Sequence, residues 1–360
     1  MTKLRVSLYD PAKSYEHNFV YGPFGKTAKA RKSVGKPQHK LFGQKVHVPF
    51  GIPAGPLLNS NFVKQAFDHG FDVVCYKTQR SVPFEPNQFP HILYVDVDGD
   101  LTLEKATRPL RGATSTNRPV ESFSITNSFA MPSKGPDFWV EDMQKAISYQ
   151  GEAQLLIMCV VGTIKSGFSK EDYYDDFADT AELAVKGGAK VIEANLSCPN
   201  VANEGVLCYT PDAVAAICSR VKERIGKVPL LIKVGYYSPA QQELLEGIVY
   251  KNRKYIDGIS AINTIAAPIV NQYGEQALPG ANRLKSGVCG ASIKWAGLDM
   301  TRRLKALRER LDLDYSIVGV GGVMTAADFQ EYREVGADLV QSATGAMWNP
   351  DLAAQIKATL

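Results

Sequence analysis

Eight short apolar runs, each trailed by a stretch with helical spacing, constrain this 360-residue chain more than anything else in it. The runs are HVPFGIPA (47–54), FDVVCYK (71–77), AQLLIMCVV (153–161), KVIEANL (190–196), PLLIKV (229–234), DGISAIN (257–263), YSIVGV (315–320) and ADLVQS (337–342). Between them lie DYYDDFADTAELAVKG, TPDAVAAICSRVKERIG, AGLDMTRRLKALRERL and AADFQEYREVG, whose apolar residues recur at helical intervals. Most of the runs are too continuously apolar for strands with one wet face. Strands alternating with helices imply a parallel sheet buried on both sides, and eight of them imply closure.

A doubly wound open sheet is the alternative. Lys77, Asn195, Lys233 and Asn263 stand at or beside the C-terminal ends of their strands, and Gly321 and Thr344 follow the last two. An open sheet would scatter these residues along an edge, whereas a barrel gathers them at one mouth. The expected class is therefore α/β, a (β/α)8 TIM barrel with inserted loops over the C-terminal mouth. Residues 45–360 are expected to form this single domain, with residues 1–44 as an N-terminal extension. Two long insertions, 78–135 and 264–290, interrupt the pattern, and loops of that length are usually functional.

Composition permits this fold. Hydrophobic residues make up 45% of the chain and charged residues 22%, enough for a sizeable core. The net charge of +4 is mild, but no Asp or Glu occurs from His17 to Gln65, a stretch holding Lys26, Lys29, Arg31, Lys32, Lys36, Lys40 and Lys45. It reads either as an arm for nucleic acid or a membrane surface, or as a solvated extension or funnel for an anionic substrate. No aromatic stacking pattern accompanies the charge, which favours the second reading. The six cysteines show no CxxC pair and read as reduced thiols of a cytoplasmic protein. No apolar leader, membrane-length run or HExxH pattern occurs, so neither a membrane anchor nor a metal site is expected.

Three constellations carry chemistry. Asn195-Leu196-Ser197-Cys198-Pro199-Asn200 leaves the fourth strand, so two carboxamides bracket a thiol at the mouth. Each amide offers donors and an acceptor, as the edge of a cyclic imide or ureide requires. A thiol there can serve as a base once ionised, and its reference pKa of about 8.5 implies a basic pH optimum. Without the amides, Cys198 would read as a small buried apolar residue. GVGGV (319–323) and QSATGAM (341–347) follow strands seven and eight, where barrels often hold a phosphate on backbone N–H groups. Simple tight turns are the alternative. Lys77 and Lys233 end apolar strands, either as structural ion pairs or to stabilise negative charge developing at N1 of a flavin.

Together these residues resemble the dihydroorotate dehydrogenase family, particularly its soluble class with a cysteine base, from about residue 41 to the C-terminus. The resemblance implies FMN-dependent oxidation of (S)-dihydroorotate to orotate in pyrimidine biosynthesis, with Cys198 as the base at C5 and hydride passing from C6 to flavin N5. It assigns substrate amides to Asn195 and Asn200, and a loop holding the pyrimidine and its carboxylate to Asn127, Phe129, Ala130 and Met131. The family's Asn-Ser pair after strand six falls on Asn263-Thr264, and its carboxylate-binding lysine on Lys77. FMN is expected at Ala54, Gly55, Lys77, Thr78, Asn195, Lys233 and Ile262, with its phosphate and nearby atoms at Gly290, Gly321, Gly322 and Thr344. A homodimer is also implied.

The family's usual glycines before the phosphate Thr and in the substrate loop are here Ala343 and Ala130, which is tolerable where φ is negative. VANEGVLCY, after Asn200, departs from the soluble class. YDPAKSYEH and LFG resemble the longer quinone-using class, but its Ser base and hydrophobic anchor do not occur. The acceptor stands open among fumarate, a quinone and NAD, with fumarate favoured. A dihydropyrimidine dehydrogenase-like enzyme reducing uracil-type rings is the rival: it shares Leu-Ser-Cys-Pro and draws support from Cys208. Asn200 in place of His, and the lack of Glu in 127–132, count against it. A colourless barrel binding a phosphorylated metabolite without redox chemistry is the remaining alternative.

Overall fold

The computed structural model describes residues 8–25, 36–197, 207–281 and 283–360. All eight expected strands form: β1 (Phe50–Ile52), β2 (Val73–Gln79), β3 (Leu155–Val160), β4 (Ile192–Asn195), β5 (Leu230–Val234), β6 (Gly258–Ala261), β7 (Ser316–Val320) and β8 (Leu339–Gln341). Each pairs in parallel with its neighbours in chain order, and β8 pairs with β1 to close the ring. The chain is a (β/α)8 barrel. β1 is shorter than its apolar run because Pro49 and Pro53, which bring no N–H to the ladder, flank it.

The outer helices are α1 (Ser60–Asp68), α2 (Pro136–Ser148), α3 (Lys170–Lys186), α4 (Pro211–Ile225), α5 (Gln242–Asn252), α6 (Lys294–Arg310) and α7 (Ala326–Glu334), followed by α8 (Thr344–Trp348) and α9 (Leu352–Lys357). Helix α3 shows how the sequence sets them. Ser169 accepts from the Asp172 N–H while the Asp172 carboxylate takes the Ser169 N–H, a reciprocal cap that starts the helix. Tyr173, Phe177, Ala181 and Ala184 then fall on one buried face, and the helix stops at Gly187. Among the described residues, no helix is long and apolar enough to cross a membrane.

Beneath the barrel, a hairpin of 39–41 and 44–46 puts Leu41 and Val46 against Val73, Leu155, Val191, Leu231, Val318 and Leu339. Each of these two side chains contributes about 1.5–3 kcal/mol by leaving water. The hairpin spans the boundary expected at residue 44. Leu8, Tyr9 and Tyr15 are likewise buried in the main core. Lys36, Lys40 and Lys45 are exposed, while Lys26, Lys29, Arg31 and Lys32 lie outside the described residues.

Over the mouth, the two insertions are not merely loops. Tyr94–Val95, Leu110–Ala113 and Ser124–Asn127 from the first join Ile265–Val270 and Lys285–Gly290 from the second in a closed five-stranded sheet. Pro268 sits inside one of these strands and disguised it in the sequence, although Ile265, Ala267 and Ile269 alternate inward.

Asp72, just before β2, ties the barrel floor to the C-terminal helix. It is fully buried, accepts from the Val48 N–H at 2.9 Å and pairs with Lys357 at 2.8 Å. Burial raises its pKa above the ordinary carboxylate value, and Lys357 offsets part of that rise. Lys357→Met should therefore destabilise the fold by about 2–4 kcal/mol at neutral pH, since it strands a buried charge. A folded-state pKa raised above the unfolded one gives stability that is present at low pH and lost as pH rises through the folded value. Without Lys357 that pKa climbs further, so the deficit should shrink on acidification towards about pH 4. Urea unfolding of both proteins across that range checks this.

Candidate active site

The five-stranded sheet and the barrel mouth enclose a cleft with about 1070 Å³ of empty space, part of it open to solvent. Ala54, Gly55, Lys77, Thr78, Asn127, Phe129, Ala130, Met131, Asn195, Lys233, Asn263, Thr264 and Thr344 all line it. Ile262, Gly290, Gly321 and Gly322 stand outside that lining, and Cys198 and Asn200 lie outside the described residues.

The amides are held by short contacts. Asn195 ends β4, and its Oδ1 accepts from the N–H and the Oγ of Ser197, each at 3.3 Å. Its Nδ2 lies 3.3 Å from the Met131 sulfur. Asn263 Nδ2 donates to Ser197 Oγ at 2.9 Å, so Ser197 couples the two amides. Sequence reasoning gave that serine no role of its own. Lys77 and Lys233 are both buried to 4% exposure and reach the same cleft from β2 and β5. Lys233 makes no ion pair among the described residues, which leaves its charge available to a ligand.

Just after the lining residues Val320 and Cys289, Gly321 and Gly322 have φ of 127° and 69°, and Gly290 has 104°. A Cβ on Gly322 would lie 2.6 Å from the Lys294 backbone N, and one on Gly290 2.6 Å from Phe123 O. Only glycine fits either place. The backbone N–H groups of Gly321, Gly322, Ala343 and Thr344 have no partner among the described residues. A glycine-lined turn, unpartnered N–H groups and a threonine hydroxyl make a donor set suited to a phosphate. With two buried ammonium groups lining a cleft of this volume, the residues fit a flavin mononucleotide.

Ala343 has a negative φ of −91°, as expected for a residue replacing glycine. Ala130 corrects that expectation. Its φ is +69° and that of Met131 is +55°, so both are left-handed, at about 1–2 kcal/mol each for a residue with a Cβ. The surrounding structure overrides the local preference.

Tyr9 and Cys289 are among the lining residues that had no signal as site residues in the sequence. Tyr9, from the N-terminal segment, reaches the cleft, with its ring edge-on to Phe129 at 5.5 Å. Its hydroxyl is buried without a partner among the described residues. Cys289 also lines the cleft, but burial pushes its thiol up to about 11, and the Thr344 hydroxyl donates to it. Cys208 is fully buried and pushed up to about 12 by burial.

Comparison with known proteins agrees with this geometry. A family model described as dihydroorotate dehydrogenase matches residues 111–360. A dihydroorotate dehydrogenase of Dictyostelium discoideum is 36% identical across 96% of this chain and 95% of its own length. The catalytic subunit of a dihydroorotate dehydrogenase B (NAD(+)) from Methanocaldococcus jannaschii is 27% identical across 61% of this chain and 65% of its own. A putative dihydroorotate dehydrogenase A (fumarate) of Pediococcus pentosaceus is 32% identical across 49% of this chain and 55% of its own.

Proposed function

Because the chain belongs to the dihydroorotate dehydrogenase family, we propose that it oxidises (S)-dihydroorotate to orotate with bound FMN and with Cys198 as the base. One observation supports the reading: amides, lysines and Val320, Ala343 and Thr344, beside a glycine turn with unpartnered N–H groups, line one cleft at the mouth of one closed barrel.

Residues for the cofactor would be Ala54, Gly55, Thr78 and Lys233 along the ring, with Gly290, Gly321, Gly322 and Thr344 around the phosphate. When bound, FMN supplies the two-electron acceptor. Asn127, Asn195, Asn200 and Asn263 orient the pyrimidine edge, and Lys77 and the 129–131 backbone take its carboxylate. Cys198, as thiolate, takes the proton from C5. Lys233 offsets negative charge developing at the floor of the cleft. Holding the ring rigidly between base and cofactor contributes through orientation.

Fumarate is the acceptor we favour, since a small dicarboxylate suits the same cationic, amide-lined cleft, and two relatives are named for it. The reading includes a cytoplasmic homodimer. The test is direct. The purified protein should be yellow, bind orotate in preference to uracil, and reduce fumarate faster than NAD or a quinone. A colourless protein, or one preferring uracil, would overturn the assignment.

A further inference from the structure

Arg80 follows β2 immediately and is buried to 6% exposure, yet no catalytic role falls to it. Its Nε donates to Met131 O at 3.0 Å and one terminal nitrogen to Ala130 O at 3.4 Å. The other terminal nitrogen donates to Gly162 O at 2.9 Å and Thr163 Oγ1 at 3.1 Å, just beyond β3. The guanidinium lies over the Phe84 ring, 4.0 Å from its centroid. Its own backbone is fixed as well: Trp139 Nε1 donates to Arg80 O at 3.0 Å. A planar fork thus connects two barrel strands to one turn, and that turn holds the two consecutive left-handed residues of the cleft wall.

Residues 129–131 of the same turn line the cleft. The N–H groups of Phe129, Ala130 and Met131 have no partner among the described residues. The Ala130 carbonyl and the Met131 N–H belong to one peptide group, so a charged donor on that oxygen makes the N–H a stronger donor.

We propose that Arg80 is a positioning residue for the substrate. It pins the carbonyl oxygens of Ala130 and Met131, holds the pair left-handed and keeps the turn's N–H groups ready for a carboxylate. This rests on the reading above that residues 127–131 receive the substrate. Lysine keeps the charge but loses the fork, so it cannot span both carbonyls and Gly162 together.

The test uses the flavin-loaded enzyme as purified, with two readouts: amide exchange across 127–134 without substrate, and the orotate dissociation constant. Arg80→Lys should speed exchange there and weaken orotate about tenfold or more, raising KM more than it lowers kcat. In an Ala130→Gly/Met131→Gly background the left-handed turn is unstrained, so the same substitution should weaken orotate by at most about threefold. Unchanged exchange and affinity in Arg80→Lys would overturn the proposal. An equal loss in both backgrounds would do so too, because it would separate Arg80 from the turn. A wild-type enzyme that binds no orotate would instead retire the substrate reading, and the exchange data would still decide whether Arg80 holds the turn.

Discussion

Cys198→Ala enzyme should oxidise dihydroorotate about a thousandfold more slowly than the wild type, or worse, while still binding FMN and orotate. A positioned general base contributes about 10²–10⁴ in rate, and no other group in the cleft is fitted to replace it. Cys289 is the nearest chemical substitute, yet burial pushes its thiol up to about 11 and leaves it neutral near pH 7. Lys77 and Lys233 are committed to anionic partners in the proposed mechanism. Anaerobic stopped-flow measurement of flavin bleaching by dihydroorotate isolates the step. Turnover within tenfold of wild type would remove the thiol from the mechanism.

The second large effect concerns the cofactor. Gly322→Ala should yield protein that purifies nearly colourless and binds FMN about 100-fold more weakly. Two physical effects act together. The residue sits at φ 69°, which a Cβ disfavours by about 1–2 kcal/mol. The new Cβ would also meet the Lys294 N, Cα and Cβ atoms at 2.6–2.7 Å, so the turn must move. Gly274 gives the control. Its φ is 81°, but nothing lies within 4 Å of a Cβ built there, and it is not among the cleft-lining residues. Gly274→Ala should cost a similar backbone strain and leave flavin content unchanged. If both variants bind FMN like the wild type, the 319–323 turn is not the phosphate cradle.

How much of this was legible beforehand depended on the kind of signal. Strands buried on both faces announce themselves, because a run such as LLIKV is too short and too continuously apolar for an amphipathic helix, and all eight were found. The mouth was legible for a related reason: a lysine or asparagine ending such a run must reach either a partner or solvent. The five-stranded sheet was not legible. Its strands are short, one contains Pro268, and their partners lie in a distant insertion, so no local pattern marks the pairing. Tyr9 escaped for the same reason, since only the folded chain carries the N-terminus to the cleft. Ala130 failed differently. Its left-handed backbone accompanies a contact from Arg80 fifty positions earlier to its carbonyl oxygen, and no propensity at residue 130 could reveal it.

The ring of strands above the mouth has a consequence for biogenesis. Leu110 pairs with Ile269, Asn127 with Gly287, and the barrel itself closes only when Val340 meets Phe50. Such distant pairings are slow to form, because large loops must close before any contact rewards them. The cofactor pocket therefore cannot exist on a ribosome-bound fragment lacking the last two strands. Flavin loading should be a post-translational event, and nascent chains stalled before residue 340 should expose apolar strand edges that invite chaperones.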